Sequence, residues 1–214
     1  MSKKDQQLQY LLSQKVVAVV RLEKADSLLQ AAQALSAGGV KVIEFTMTTP
    51  GALDIVATAA RELGPEVLLG AGTVLDPETA RSAILAGAQF IVAPTLNPEV
   101  ITLCHRYNVL VIPGALTPTE ILAAWEAGAD LVKVFPAAAV GPRYLRDVLA
   151  PLPYLRLLPT GGVTLENVGD FLRAGAAAVG IGGNLVDPQL VSAGKFAVLT
   201  ERARQFVQAV NQAR

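Results

Sequence analysis

The chain has 214 residues, with 18 basic and 18 acidic side chains, a formal net charge of zero and a mean hydropathy of +0.43. Balanced charge leaves no field to steer it onto nucleic acid or an anionic membrane, and no apolar run approaches the length of a membrane span. The single cysteine, Cys104, excludes an intramolecular disulfide, and no Cys/His cluster has zinc-ligand spacing.

The opening M-S-K-K-D-Q-Q-L-Q-Y-L-L follows its basic residues with a Gln-rich polar run rather than a secretory apolar segment, so a cytoplasmic location is expected. Asp5 to Ser13 reads as a short amphipathic helix. From there β-branched runs alternate with Ala-rich helical stretches. The predicted strands are Val16–Val20, Val40–Phe45, Val67–Ala71, Phe90–Ala93, Val109–Ile112, Leu131–Phe135, Leu155–Leu158 and Ala178–Ile181. D-P-E-T-A at Asp76, N-P-E-V at Asn97 and T-P-T-E at Thr117 each supply an N-cap residue followed by proline at the first helical position. A-G-A or A-G-G at Ala37, Ala86, Ala127 and Ala174 ends helices with glycine. The run from Lys195 to Val210 reads as a closing amphipathic helix. Eight βα units without a linker predict one α/β domain over residues 1–214, a (β/α)8 barrel preceded by a short helix. An open doubly wound sheet is the alternative, but G-A-G-T-V-L and G-I-G-G-N-L lack the third glycine of a dinucleotide fingerprint.

Within D-L-V-K-V-F-P, Lys133 is a cation in a run that otherwise reads as a buried strand. Burial disfavours its charge and predicts an amine able to form a Schiff base with a carbonyl substrate. In I-E-F-T-M-T the two-residue period puts Glu44, Thr46 and Thr48 on one face, which makes Glu44 a second buried charge and a candidate acid or base. Phe135 shares a face with Lys133 and would exclude water. Barrels place chemistry at the C-terminal strand ends. There P-T-G-G-V-T brings Gly161 and Gly162 after strand seven, and G-I-G-G-N brings Gly182 and Gly183 after strand eight, a pattern suited to phosphate binding by backbone N–H groups. Thr73, Pro94 and Thr160 complete the mouth. His105 and Cys104 lie in a helical pattern away from any strand end, and Trp125 and Glu126 on an outer helix, so packing is expected of them.

In this order, G-A-G-T-V, I-V-A-P, D-L-V-K-V-F-P-A, P-T-G-G-V and G-I-G-G resemble the 2-keto-3-deoxy-6-phosphogluconate and 4-hydroxy-2-oxoglutarate aldolase family. The resemblance covers nearly the whole chain. It implies a class I aldolase on a (β/α)8 barrel, a homotrimer, needing no metal and no cofactor. It further implies Lys133 as the Schiff-base lysine and Glu44 as the general acid/base. Thr73, Pro94, Phe135 and Thr160 would line the pyruvate pocket, with Gly161, Gly162, Gly182 and Gly183 at the phosphate. The substrate would be 2-keto-3-deoxy-6-phosphogluconate, cleaved to pyruvate and glyceraldehyde 3-phosphate, or 4-hydroxy-2-oxoglutarate, cleaved to pyruvate and glyoxylate. A charged fraction of 17%, against roughly 25% in ordinary soluble domains, also predicts surface buried between subunits. Two positions depart from the family pattern. Thr48 stands where many members carry an arginine for the substrate carboxylate, and Arg21 at the end of strand one could replace it. Asn184 stands where the phosphate loop often has serine, and it too donates a hydrogen bond. A phosphosugar isomerase or epimerase, or a silent phosphate-ligand sensor, would use the glycine loops but not the amine.

Overall fold

The computed structural model describes residues 1–22 and 27–213. Helix α1 (Lys3–Gln14) starts in a capping box in which Ser2 and Asp5 exchange side-chain bonds to each other's backbone N–H. Nine parallel strand segments follow: β1 (Val16–Val20), β2 (Val42–Thr46), β3 (Leu68–Gly72), β4 (Phe90–Val92), β5 (Leu110–Ile112), β6 (Gly114–Ala115), β7 (Val132–Val134), β8 (Leu157–Pro159) and β9 (Val179–Ile181). Between them run α2 (Leu28–Ala37), α3 (Ala52–Glu62), α4 (Pro77–Leu85), α5 (Pro98–Arg106), α6 (Pro118–Glu126), α7 (Gly141–Leu149) and α8 (Val168–Arg173). The chain closes with α9 (Pro188–Ser192) and α10 (Phe196–Gln212). Among the described residues no helix is long and apolar enough to cross a membrane.

The helix starts follow from local chemistry. Asp76, Asn97 and Thr117 accept the N–H groups of Thr79, Glu99 and Glu120, each with proline next in the chain. Helix ends at Gly128 and Gly175 need φ of +100°, which glycine adopts without strain.

The strands form a six-stranded sheet in the order β5-β4-β3-β2-β1-β9, curled as a half-barrel, and a three-stranded sheet in the order β6-β7-β8. The uninterrupted eight-stranded sheet expected from the sequence is therefore divided in two. Its fifth strand splits at Pro113, which has no N–H to offer the ladder. Upstream, β5 pairs with β4; downstream, β6 pairs with β7. A parallel bridge between Thr160 and Gly180 links the two sheets on their other side.

Burial sorts the strand residues by the two-residue period. One set, including Ala18, Ile43, Phe45, Val132 and Val134, packs under the helices. The other, including Val17, Val42, Leu68, Phe90, Leu110, Leu131 and Leu158, packs together and is closed at the N-terminal ends by Leu11 of α1. Glu44 and Lys133 belong to this second face, nearer its C-terminal ends.

Candidate active site

At the C-terminal strand ends lies a cavity of about 410 Å³, lined by Arg21, Thr73, Pro94, Lys133, Phe135, Thr160, Gly161, Gly162, Gly182, Gly183 and Asn184, together with Val19, Val163, Val186 and Pro188. Eleven of the thirteen residues singled out from the sequence thus meet here. Glu44 lies behind the lining, only 1% exposed. Thr48 departs from the expectation. β2 ends at Thr46, the chain turns through a Thr49 N–H bond to the Thr46 carbonyl, and Thr48 is left exposed outside the lining, with its Oγ1 3.1 Å from that of Thr46. The four extra lining residues carried weak signals. Val19 lies on β1 two residues before Arg21, while the others follow the two glycine pairs within five residues.

Lys133 sits in the middle of β7, paired with Gly114 on one side and Leu158 on the other, and is 5% exposed. Its Nζ lies 5.2 Å from the centre of the Phe135 ring, which is itself 37% exposed at the mouth. Among the described residues neither the Lys133 amine nor the Glu44 carboxyl makes a side-chain hydrogen bond or an ion pair, and the buried Glu44 Oε1 has no partner. An unpaired buried ion costs several kcal/mol, so each group moves toward its neutral form. Burial holds the Glu44 carboxyl above its ordinary 4.5, against the opposing charges of Lys133 and Arg21. Burial holds the Lys133 amine below its ordinary 10.5, with Glu44 opposing and Arg21 adding to the fall. Burial thus pushes the amine and the acid each toward the neutral form, and each charge opposes the other's shift.

The other end of the cavity is made of backbone. Gly161 and Gly162 turn with φ of +89° and +80°, and the N–H groups of Gly161, Gly162, Gly183 and Asn184 donate to no backbone carbonyl among the described residues. Such convergent free donors suit an anion. Asn184 turns its Nδ2 to the Val163 carbonyl at 2.8 Å, tying the two glycine loops together. The adjacent α9 has its Gln189 N–H taken by Asp187, so the glycine backbone is the better anion donor. Thr73 holds φ of +58°, an unusual conformation for a β-branched residue and a mark of a functional site. Among the described residues no group of three or more His, Cys, Asp or Glu side chains is placed to hold a metal ion. His105 turns Nε2 to the Gly128 carbonyl at 2.9 Å, Cys104 is buried in the helix-facing core, and Trp125 in the last turn of α6 lies beside Tyr154; none of them lines the cavity.

The family model for KDPG and KHG aldolases matches residues 8–201. A 2-dehydro-3-deoxy-phosphogluconate aldolase of Treponema pallidum is 39% identical over 198 residues, spanning 92% of this chain and 93% of its own. The KHG/KDPG aldolase of Escherichia coli K12 is 35% identical over 195 residues, spanning 90% and 91%. Among solved structures, KDPG aldolase from Legionella pneumophila, with pyruvate captured at low pH as a covalent carbinolamine intermediate, aligns with a TM-score of 0.85 at 28% identity, over 92% of this chain and 96% of that one. A match that begins in α1 and runs into α10 takes in every strand described above and every residue at the cavity, and this protein belongs to the KDPG and KHG aldolase family and is an aldolase.

Proposed function

We propose that the chain is a class I aldolase that cleaves 2-keto-3-deoxy-6-phosphogluconate to pyruvate and glyceraldehyde 3-phosphate, and 4-hydroxy-2-oxoglutarate to pyruvate and glyoxylate, through a Schiff base on Lys133. The observation that carries this reading is a buried amine and a buried carboxyl in one site, each pushed toward its neutral form and, among the described residues, neither held by a side-chain hydrogen bond or ion pair.

The pair explains the proton movements. Neutral Lys133 attacks the C2 ketone and one amine proton passes to the oxygen, giving a carbinolamine. Glu44 gives its proton to the departing hydroxyl, water leaves, and a cationic iminium stands beside a carboxylate. That carboxylate takes the C4 hydroxyl proton, the C3–C4 bond breaks toward the iminium, and the aldehyde departs from a neutral enamine. Glu44 then protonates C3 and accepts a proton from the water that hydrolyses the iminium, which returns pyruvate, the amine and the acid. The charge of the iminium replaces the hydration that burial removed from the carboxylate, so one group serves as acid and then base.

Among the described residues Arg21 is the one cation besides Lys133 in the lining, and it would hold the substrate carboxylate in place of the arginine absent at Thr48. Thr73, Thr160 and Pro94 would line the pyruvoyl end, with Phe135 as its cover. Gly161, Gly162, Gly182, Gly183 and Asn184 would hold the phosphate. The two sheets, joined by the chain through Pro113 and by the Thr160–Gly180 bridge, are read as one closed (β/α)8 barrel domain. The low charged fraction supports a homotrimer, and a single buried cysteine suits the cytoplasm. Sedimentation giving only monomer at micromolar concentration would overturn the trimer.

The test is pyruvate with borohydride followed by peptide mapping, alongside cleavage assays on both substrates. Lys133 should carry the reduced three-carbon adduct; unmodified protein, or an adduct on another lysine, would refute the Schiff base. Inorganic phosphate should inhibit cleavage of the phosphorylated substrate more than that of 4-hydroxy-2-oxoglutarate, and equal inhibition would displace the phosphate from the glycine loops.

A further inference from the structure

We infer that Gly72 is a positioning residue for the Glu44 carboxyl, and that glycine stands there to leave the acid its place. The inference rests on the reading of Glu44 as the acid/base. Gly72 ends β3, and its φ is not among the positive values, so its backbone asks for nothing that an L-residue could not supply. Space is the other reason for glycine. A Cβ built on Gly72 would lie 2.5 Å from Glu44 Oε1, 2.8 Å from its Cδ and 3.3 Å from Oε2, and these are its three nearest neighbours. The neighbouring inward glycines answer to other groups. A Cβ on Gly70 would meet the Phe90 ring, and one on Gly180 the Thr160 side chain.

The strands cannot easily yield. Thr46 pairs with Gly72 in the β2–β3 register, and the Met47 N–H donates to the Gly72 carbonyl at 2.8 Å. The carboxyl sits at the far end of a flexible side chain, with Oε1 held by no hydrogen bond. An added methyl should therefore move the carboxyl and leave the fold in place. The bare wall at Gly72 sets where the acid stands without offering a donor that would stabilise its charged form.

Gly72→Ala should lower kcat by roughly 10²-fold, the scale of a misplacement of about 1 Å. KM should change by less than about threefold, since the substrate contacts stay. Deuterium exchange into the pyruvate methyl should slow in proportion to kcat, while end-point borohydride trapping on Lys133 stays complete. In a Glu44→Gln background the same change should cost less than about twofold, because the two act through one group. Equal losses in both backgrounds would make Gly72 merely structural, and no loss in the first would overturn the inference outright. If Glu44→Gln itself leaves the rate intact, it is the acid/base reading that fails. Should Gly72→Ala not fold, Gly72→Ala/Glu44→Ala should fold as well as Glu44→Ala, because truncation removes all three crowding atoms; an unfolded double variant would overturn the proposal.

Discussion

Three residues apart in the chain, Asp130 and Lys133 meet burial in opposite ways. At the base, Asp130 Oδ2 receives Lys4 Nζ at 3.0 Å and the Val111 N–H at 2.9 Å. The Asp130 backbone carbonyl receives Arg156 Nη1 at 3.1 Å, and that guanidinium lies 5.4 Å from the centre of the Trp125 ring. These charged groups are paired, and the contacts tie α1 to the start of β7. At the mouth, the Lys133 and Glu44 side chains have no hydrogen-bond or ion-pair partner among the described residues. Removing an unpaired buried ion and breaking a paired one should have opposite effects on stability. The base holds the fold together; the mouth trades stability for an amine and an acid that react.

The largest effect should come from Lys133→Met, which removes the nucleophile and should abolish turnover, a loss of more than about 10³-fold. Its Tm should equal or exceed that of the wild type, because a thioether of similar length suits the buried face and needs no partner. A clearly lower Tm would break the comparison, since it would mean that the amine stabilises the fold after all.

Glu44→Gln should lower kcat by roughly 10²–10⁴-fold. It also sharpens the comparison through pH. In the unfolded chain Glu44 ionises at its ordinary 4.5, while burial holds the folded group protonated to higher pH. Its contribution to wild-type stability is thus present below 4.5 and is lost as pH rises through the raised folded value. The Tm advantage of Glu44→Gln should therefore grow with pH above 4.5. Lys133 mirrors it. Its folded pKa is lowered, so its contribution is present above 10.5 and is lost as pH falls through the folded value, and Lys133→Met should gain on the wild type as pH drops. Thermal unfolding across the pH range checks both signs, and a Tm difference independent of pH would contradict them.

Arg21→Ala should raise KM for pyruvate in the condensation direction about tenfold, the scale of a charge-assisted hydrogen bond. An unchanged KM would show that neutral donors hold the carboxylate. The smallest effect belongs to the base, where Lys4→Ala should lower stability by about 1 kcal/mol, since its partly exposed pair is weaker than a fully buried one. That is a Tm drop of about 2–4 °C in a chain of this size. Turnover at the other end of the strands should be unaltered, and a matching loss of kcat would show that the two ends are coupled.

Much of this could be read from neighbouring residues alone. β1 runs over the predicted Val16–Val20, and Asp76, Asn97 and Thr117 cap their helices as expected, because a cap is a bond within three residues of chain. Lys133 was conspicuous because a cation in a Val- and Leu-rich run needs an explanation, and Glu44 because the two-residue period turns it inward. The interruption at Pro113 is not legible locally as a break between sheets, since the pairing of β5 with β4 and β6 with β7 depends on segments distant in sequence. The two-residue period puts Thr48 on the Glu44 face only if the strand continues, and β2 ends at Thr46, where the chain turns. Local sequence thus determined where the proline-capped helices begin, which faces are apolar and which side chains have no business being buried. Only the tertiary structure decided that Glu44 Oε1 has no partner among the described residues, that its carboxyl rests against Gly72, and that Arg21 just after β1 shares a cavity with Lys133 from β7, because each is a relation between residues that meet only when the strands are side by side.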